Sequence, residues 1–239
     1  MLHILSFSML STAIGIGGGG VLAWLLKGYQ RSLSKIYAIC AGMILAILLS
    51  EIIPEGIELG NFKVFILGVT TGIIIFELLH RMFHNVIQSN NNYQKKSLIY
   101  TGMLLSLSIS LHNFPIGISL GATNNTSIRK SLVQTIILHN IPEGIIMFLP
   151  LFLAGLGFLT WLLLTIFSTL PIAIGAFVGT QIGIDNTLLW SYILALAVGI
   201  IFMVTIKEIF LVSIKKSYKV SIMISLLSFI LTFIYFYMV

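Results

Sequence analysis

Two hexapeptides carry most of the chemistry available to this chain: His112-Asn113-Phe114-Pro115-Ile116-Gly117 and His139-Asn140-Ile141-Pro142-Glu143-Gly144. Each sits inside an apolar run long enough to cross a bilayer, so two imidazoles and a carboxylate are expected in hydrocarbon. An ionisable group at that depth costs about 3 kcal/mol or more unless it is paired or faces a wet cavity, which makes it a candidate for function. His139 and Glu143 are four residues apart and share one helix face. With His112 from a neighbouring helix they offer imidazole nitrogens and a carboxylate oxygen, a donor set that suits Zn²⁺ and accepts Fe²⁺, Mn²⁺, Co²⁺, Ni²⁺ or Cd²⁺. Asn113 and Asn140 add carboxamide oxygens or hydrogen bonds behind the ligands. Pro115 and Pro142 lack a backbone donor and displace the carbonyl four residues back, so they are expected to free the Leu111 and Leu138 carbonyls close to the histidines. In lipid such a carbonyl needs a partner or water.

The rest of the chain must hold these residues at membrane depth, and its composition permits that. Hydrophobic residues make up 58% of the 239 and charged residues only 8%, with a mean hydropathy of +1.08. That is too little polar surface for a soluble domain of this size. The formal charge of +6 is spread in short clusters between apolar runs, with no basic stripe suited to nucleic acid. Cys40 is the single cysteine, which excludes an intrachain disulfide, and it reads as a small packing residue. The first apolar run has no basic residue before it and no evident cleavage site, so a retained helix is expected there.

Spanning the hydrocarbon core takes about 20 apolar residues in a helix. Eight stretches qualify, near 2–26, 36–57, 62–80, 98–121, 128–150, 157–181, 187–211 and 218–239, and they are read as one polytopic membrane domain. A tight hairpin is expected between the fifth and sixth, around Pro150, Gly155 and Gly157. The hydrophilic loop is Arg81 to Lys96. A β-barrel is excluded by the absence of two-residue alternation. The loops after helices 1, 3, 5 and 7 hold nine basic residues, against three on the other side. The positive-inside rule puts the richer side in the cytoplasm and both termini outside. Trp24, Trp161 and Trp190 are expected as interfacial belt residues.

Further ionisable groups fall within or beside the spans. Glu51 and Glu55, in Glu51-Ile52-Ile53-Pro54-Glu55-Gly56, repeat the Pro-Glu-Gly pattern toward the outer end of the second helix, where an entering cation would be collected. Near the inner end of the third, Glu77, His80 and His84 would line one face if the helix continues past Arg81, and Glu208 in the seventh adjoins Lys207, which would partly neutralise it. The glycines Gly17 to Gly20 lack the Lys-Ser/Thr of a phosphate loop and are assigned to close packing or a flexible helix.

His-Asn-x-Pro-x-Gly on a fourth helix followed by His-Asn-x-Pro-Glu-Gly on a fifth, in an eight-helix chain, resembles the ZIP (Zrt/Irt-like) divalent metal transporters. The resemblance implies an all-α integral membrane protein with eight transmembrane helices in a 3+2+3 arrangement, the outer triplets related as inverted repeats. It also implies a homodimer in the cell membrane that carries zinc or a similar cation, as substrate and not as cofactor, toward the cytoplasm by an elevator-like motion. The family's metal residues map to His112, Asn113, His139, Asn140 and Glu143. The chain departs from the family pattern at Ile116, where the fourth helix normally carries a glutamate, and in Ser168-Thr169-Leu170-Pro171, which lacks the acid many relatives place there. A mononuclear site is therefore expected. Other classes compatible with the same residues are an intramembrane zinc hydrolase and a metal-sensing membrane protein without transport. The first lacks a His-Glu-x-x-His signature and a spare general base.

Overall fold

The structure, a computed structural model, describes residues 2–29, 32–85, 93–122, 126–182 and 187–238. Among these residues it is helical throughout, with no strand. Eight helices are long and apolar enough to cross a membrane. They are α1 (Leu2–Leu26), α3 (Phe62–Asn85), α4 (Tyr93–Ala122), α5 (Thr126–Leu153), α6 (Phe158–Ile182) and α8 (Tyr218–Met238), with α2 over Leu33–Leu59 and α7 over Thr187–Lys215. Helices are the natural solution for such runs, because each satisfies its backbone donors and acceptors within itself where no water is at hand.

Two of the eight are interrupted by a wide turn. Leu48–Ile52 of α2 and Thr205–Phe210 of α7 are π-helical. In α2 the cause is local. Pro54 offers no N–H, and its ring would clash with the carbonyl of Ser50, so the turn ahead of it opens. In α7 no proline is present; the π turn there contains Lys207 and Glu208. The helices run unbroken through Pro115, Pro142 and Pro171. Between α5 and α6 the expected hairpin is a tight one. Gly155 adopts φ 85°, and its N–H donates to the Phe152 carbonyl while Leu156 N–H donates to that of Leu151 at 3.0 Å, the double bond of a Schellman stop.

Helix pairing depends on small residues that let backbones meet, as expected where lipid gives no hydrophobic drive to association. A side chain at Gly19 of α1 would run into the Ile141 carbonyl and the Gly144 Cα of α5, and one at Gly117 or Gly121 of α4 into the backbone of Ile172 or Ala176 on α6. Gly72 of α3 meets Gly199 of α7 in the same manner, and Gly42 of α2 meets Ser225 of α8. The main pairings are α4 with α6, α1 with α5, α3 with α7 and α2 with α8; α1 also packs on α6, α4 on α5 and α7, and α2 on α5. Gly15, Gly17, Gly19 and Gly20 thus form a packing surface while Gly18 faces open space, and Gly15 and Gly19 abut the very helix that carries His139. Trp190 departs from its expected role: it is buried beside Ile118 and Ala122 and not exposed as a belt residue would be. Trp161 is partly buried and donates its indole N–H to the Gly17 carbonyl at 3.1 Å, whereas Trp24 is exposed.

Candidate metal site

His112 and Asn113 reach the centre of the bundle from α4, and His139, Asn140 and Glu143 from α5. All five are buried, with exposures of 3% or less. The imidazoles are held alike. Nδ1 of His112 lies 3.0 Å from the Ser108 carbonyl and Nδ1 of His139 lies 2.8 Å from the Thr135 carbonyl, each one turn back on its own helix. A carbonyl can only accept, so in both rings the proton is on Nδ1 and the Nε2 lone pair is left to face the site. This is the usual way a protein fixes the tautomer of a metal-binding histidine.

The opposite atoms are unsatisfied. Nε2 of both histidines, Oδ1 of both asparagines and Oε2 of Glu143 are buried without a hydrogen-bond partner. Oε1 of Glu143 lies 3.2 Å from Nε2 of His112. One donor atom each from His112, His139 and Glu143 falls within 4.8 Å of the others. Neighbouring ligands around a tetrahedral ion with bonds near 2 Å are about 3.3 Å apart, so modest closure suffices. No lysine or arginine pairs with Glu143 among the described residues. A buried carboxylate with no lysine or arginine beside it is costly, and the three donor atoms are close enough together that they could hold a metal ion.

The asparagines brace the site with their amide nitrogens. Nδ2 of Asn113 donates to the Ser168 carbonyl at 3.0 Å, tying α4 to α6, and Nδ2 of Asn140 donates to the Ile136 carbonyl at 2.7 Å. The Ser168 hydroxyl meets that of Ser106 at 3.3 Å. At this level α6 thus supplies hydroxyls and a carbonyl, with no carboxylate. Buried hydroxyls of Thr12, Ser108 and Thr165, on α1, α4 and α6, lack a protein partner as well, a polar lining in an otherwise apolar bundle. Ile116, where a second glutamate was of interest, is buried with Leu120, Val133, Ile136 and Ile172.

The remaining ionisable residues fall into two places. Glu51, in the π turn of α2, is half-buried, with the Thr135 side chain beside its carboxylate. The same Thr135 whose carbonyl orients His139 therefore contacts an acid of α2. Glu55 is half-buried one turn further along. At the other end, α3 continues past Arg81 to Asn85. Glu77 is ion-paired with Lys207, and Nδ1 of His80 lies 3.0 Å from Oε1 of Glu208. Lys207 thus reaches across to α3, and the closest partner of Glu208 is His80 and not its neighbour in sequence. The side chain of His84 lies outside the described residues, though its backbone belongs to α3. The sequence did not reveal the Ser108 and Thr135 carbonyls, since any residue type supplies one. For the crossed pairs of α3 and α7 the signal was present: two opposite charges in each of two facing apolar runs.

A search of curated proteins gives no match. The family model described as ZIP Zinc transporter matches residues 87–238, a segment that contains both histidine motifs and the helices α4 to α8. With well over half of its length matched and a buried His112, His139 and Glu143 group inside that segment, the chain belongs to the ZIP zinc transporter family, multi-pass membrane proteins that transport divalent metals.

Proposed function

We infer that this protein carries zinc across the cell membrane into the cytoplasm, one ion at a time, through a site made by His112, His139 and Glu143 with the amide oxygens of Asn113 and Asn140 alongside. The observation that carries the reading is the set of free, buried donor atoms converging from α4 and α5. Two neutral imidazoles and one carboxylate match the borderline preference of Zn²⁺, with Fe²⁺, Mn²⁺, Co²⁺, Ni²⁺ and Cd²⁺ as weaker competitors. One carboxylate leaves a divalent ion with a net positive charge in a low-dielectric setting. That favours moderate affinity and ready release.

The whole chain acts as one domain with an inverted repeat and external termini. The main pairings support this: exchanging α1, α2 and α3 for α6, α7 and α8, and α4 for α5, turns each main pairing into another, so that α1 with α5 becomes α6 with α4 and α3 with α7 becomes α8 with α2. The π turns of α2 and α7 correspond under the same exchange. The basic loops set the direction. The site helices pack mainly with α1 and α6, while α2, α3, α7 and α8 pack mainly among themselves, which supports movement of the first group against the second within a homodimer. Glu51 and Glu55 form the entry, and Glu77, His80, His84 and Glu208 the exit.

The test is zinc uptake into liposomes holding the purified protein, with the other five cations as competitors and sidedness fixed by protease. Saturable inward flux that is lost in His139→Ala supports the reading. Saturable binding without flux would overturn it in favour of a sensor.

A further inference from the structure

A half-open cleft of about 250 Å³ lies away from the metal site, where the end of α1 meets the α5–α6 hairpin. Its lining includes Gly20 and Trp24 of α1, Lys27 just past its end, Phe152 of α5, Gly157 in the hairpin and Trp161 of α6. The cleft exists because two glycines leave room. Trp161 is fixed as its floor by the hydrogen bond to Gly17, and a Cβ on Gly20 would strike both the indole and, at 2.7 Å, the Phe148 ring. A Cβ on Gly157, by contrast, would meet nothing within 4 Å.

We propose that this cleft binds an anionic phospholipid, one acyl chain lying along Trp161 and Phe152 and the phosphate resting on Lys27. Apart from Lys27, the named walls are apolar or aromatic. The volume is below the roughly 300–1,000 Å³ of a pocket for a compact small molecule, and suits a single hydrocarbon chain entering from the side. The position, at the helix ends and open to the exterior, is where the headgroup region of a bilayer meets its hydrocarbon. Charge complementarity names the headgroup. Lys27 Nζ stands 4.9 Å from the Trp24 ring centroid, and it takes no part in the ion pairs among the described residues. Its apolar stem stays along the helix while the ammonium remains free for an anion. Lys35, in the first turn of α2, adds positive charge at the same end. A zwitterionic headgroup would bring its own cation next to Lys27, so a net anionic lipid is preferred.

Native mass spectrometry of the full-length protein, released from micelles doped with equal amounts of phosphatidylglycerol and phosphatidylcholine, is the experiment. Wild type should retain one phosphatidylglycerol in preference to phosphatidylcholine. Lys27→Gln should cut that selectivity by about fivefold, the worth of one lysine at an anionic surface. Gly157→Leu, which fills the cleft at a point where the backbone has room, should lose the retained lipid altogether. Equal retention of the two lipids by wild type, unchanged selectivity in Lys27→Gln, or full retention by Gly157→Leu would each overturn the proposal. Lys27 is exposed, so its variant remains informative should the leucine impair folding. Neither readout involves metal, so the outcome is independent of transport.

Discussion

The bundle holds two clusters of histidine and glutamate, built on different terms. At the centre, His112, His139 and Glu143 are nearly inaccessible; Glu143 has no lysine or arginine partner among the described residues, only the His112 ring 3.2 Å from its Oε1, and Nε2, Nε2 and Oε2 make no hydrogen bond. At the end of α3 and α7, each carboxylate has a cation or imidazole from the facing helix: Glu77 with Lys207, and Glu208 with His80. The second cluster is also wetter, with side-chain exposures of 28% and 32% for the Glu77–Lys207 pair. Residue types alone do not separate the two. What separates them is burial and the lysine, since a fully buried carboxylate with no full cation beside it has more free energy to gain from a cationic ligand than a partly solvated one already paired with Lys207.

The sharpest way to break this contrast is to remove a central ligand. His112→Ala, His139→Ala or Glu143→Ala should each weaken zinc binding by more than the roughly hundredfold that outer-shell partners account for, with the protein still in the membrane. Calorimetry on the purified variants measures this, and near-normal affinity in either histidine variant would mean the unsatisfied atoms are not ligands. Protons compete for the same lone pairs. Imidazole binds metal only when neutral, so zinc affinity should fall as pH is lowered. The Glu143→Ala variant should keep that pH slope, and a double histidine variant should lose it.

The next effect comes from Ile116. It lies four residues after His112 on α4, in an apolar group with Val133 and Ile136 of α5. A glutamate there would supply the second carboxylate that a divalent charge calls for. Ile116→Glu should lower thermal stability without metal, because a carboxylate replaces a buried isoleucine. It should tighten zinc binding by roughly tenfold, equivalent to about 1.4 kcal/mol, and recover stability as zinc is added. Stability lost and not recovered with zinc would show that position 116 faces the apolar group alone.

Much of this was legible in the sequence, and the limits have physical causes. Eight long, continuously apolar runs specify eight helices because a backbone in lipid is satisfied only in a helix or a closed barrel and the runs lack a barrel's alternation, and the two His-Asn-x-Pro motifs marked the residues the structure brings together. The atoms that orient the histidines were invisible because they are main-chain carbonyls of Ser108 and Thr135. Trp190 was misread because a tryptophan near the end of an apolar run looks the same whether it faces lipid or a neighbour such as Ile118. The π turn in α7 has no proline to announce it. The partners of Lys207 and Glu208 required knowing that α3 lies against α7.

The end cluster sets a smaller effect. Lys207→Met leaves Glu77 unpaired, and adding Glu77→Gln should restore part of the loss. The coupling in a double-mutant cycle should be about 1 kcal/mol or less, since the pair is partly solvated. Zinc affinity at the centre should not change in either variant. If the cluster forms the exit, replacing Glu77, His80 and His84 together by Ala should slow uptake severalfold at saturating zinc, and an unchanged rate over the full zinc range would leave it a structural clasp between α3 and α7.

The finest distinction concerns Thr135, which touches both the central site and the entry side. Its carbonyl accepts from His139 Nδ1 at 2.8 Å while its side chain lies beside Glu51. Thr135→Val removes the hydroxyl and keeps the carbonyl, so His139 retains its tautomer and orientation. The loss in zinc affinity should then sit at the low end of one hydrogen bond's contribution, about twofold. Glu51→Gln disturbs the same link from the other side and should give a change of similar size. If the two residues act through their mutual contact, the double variant will be no weaker than either single one. Additive losses would show that Glu51 acts on the cation directly by its charge, and the entry would then be a carboxylate in its own right rather than a brace for the helix that holds His139.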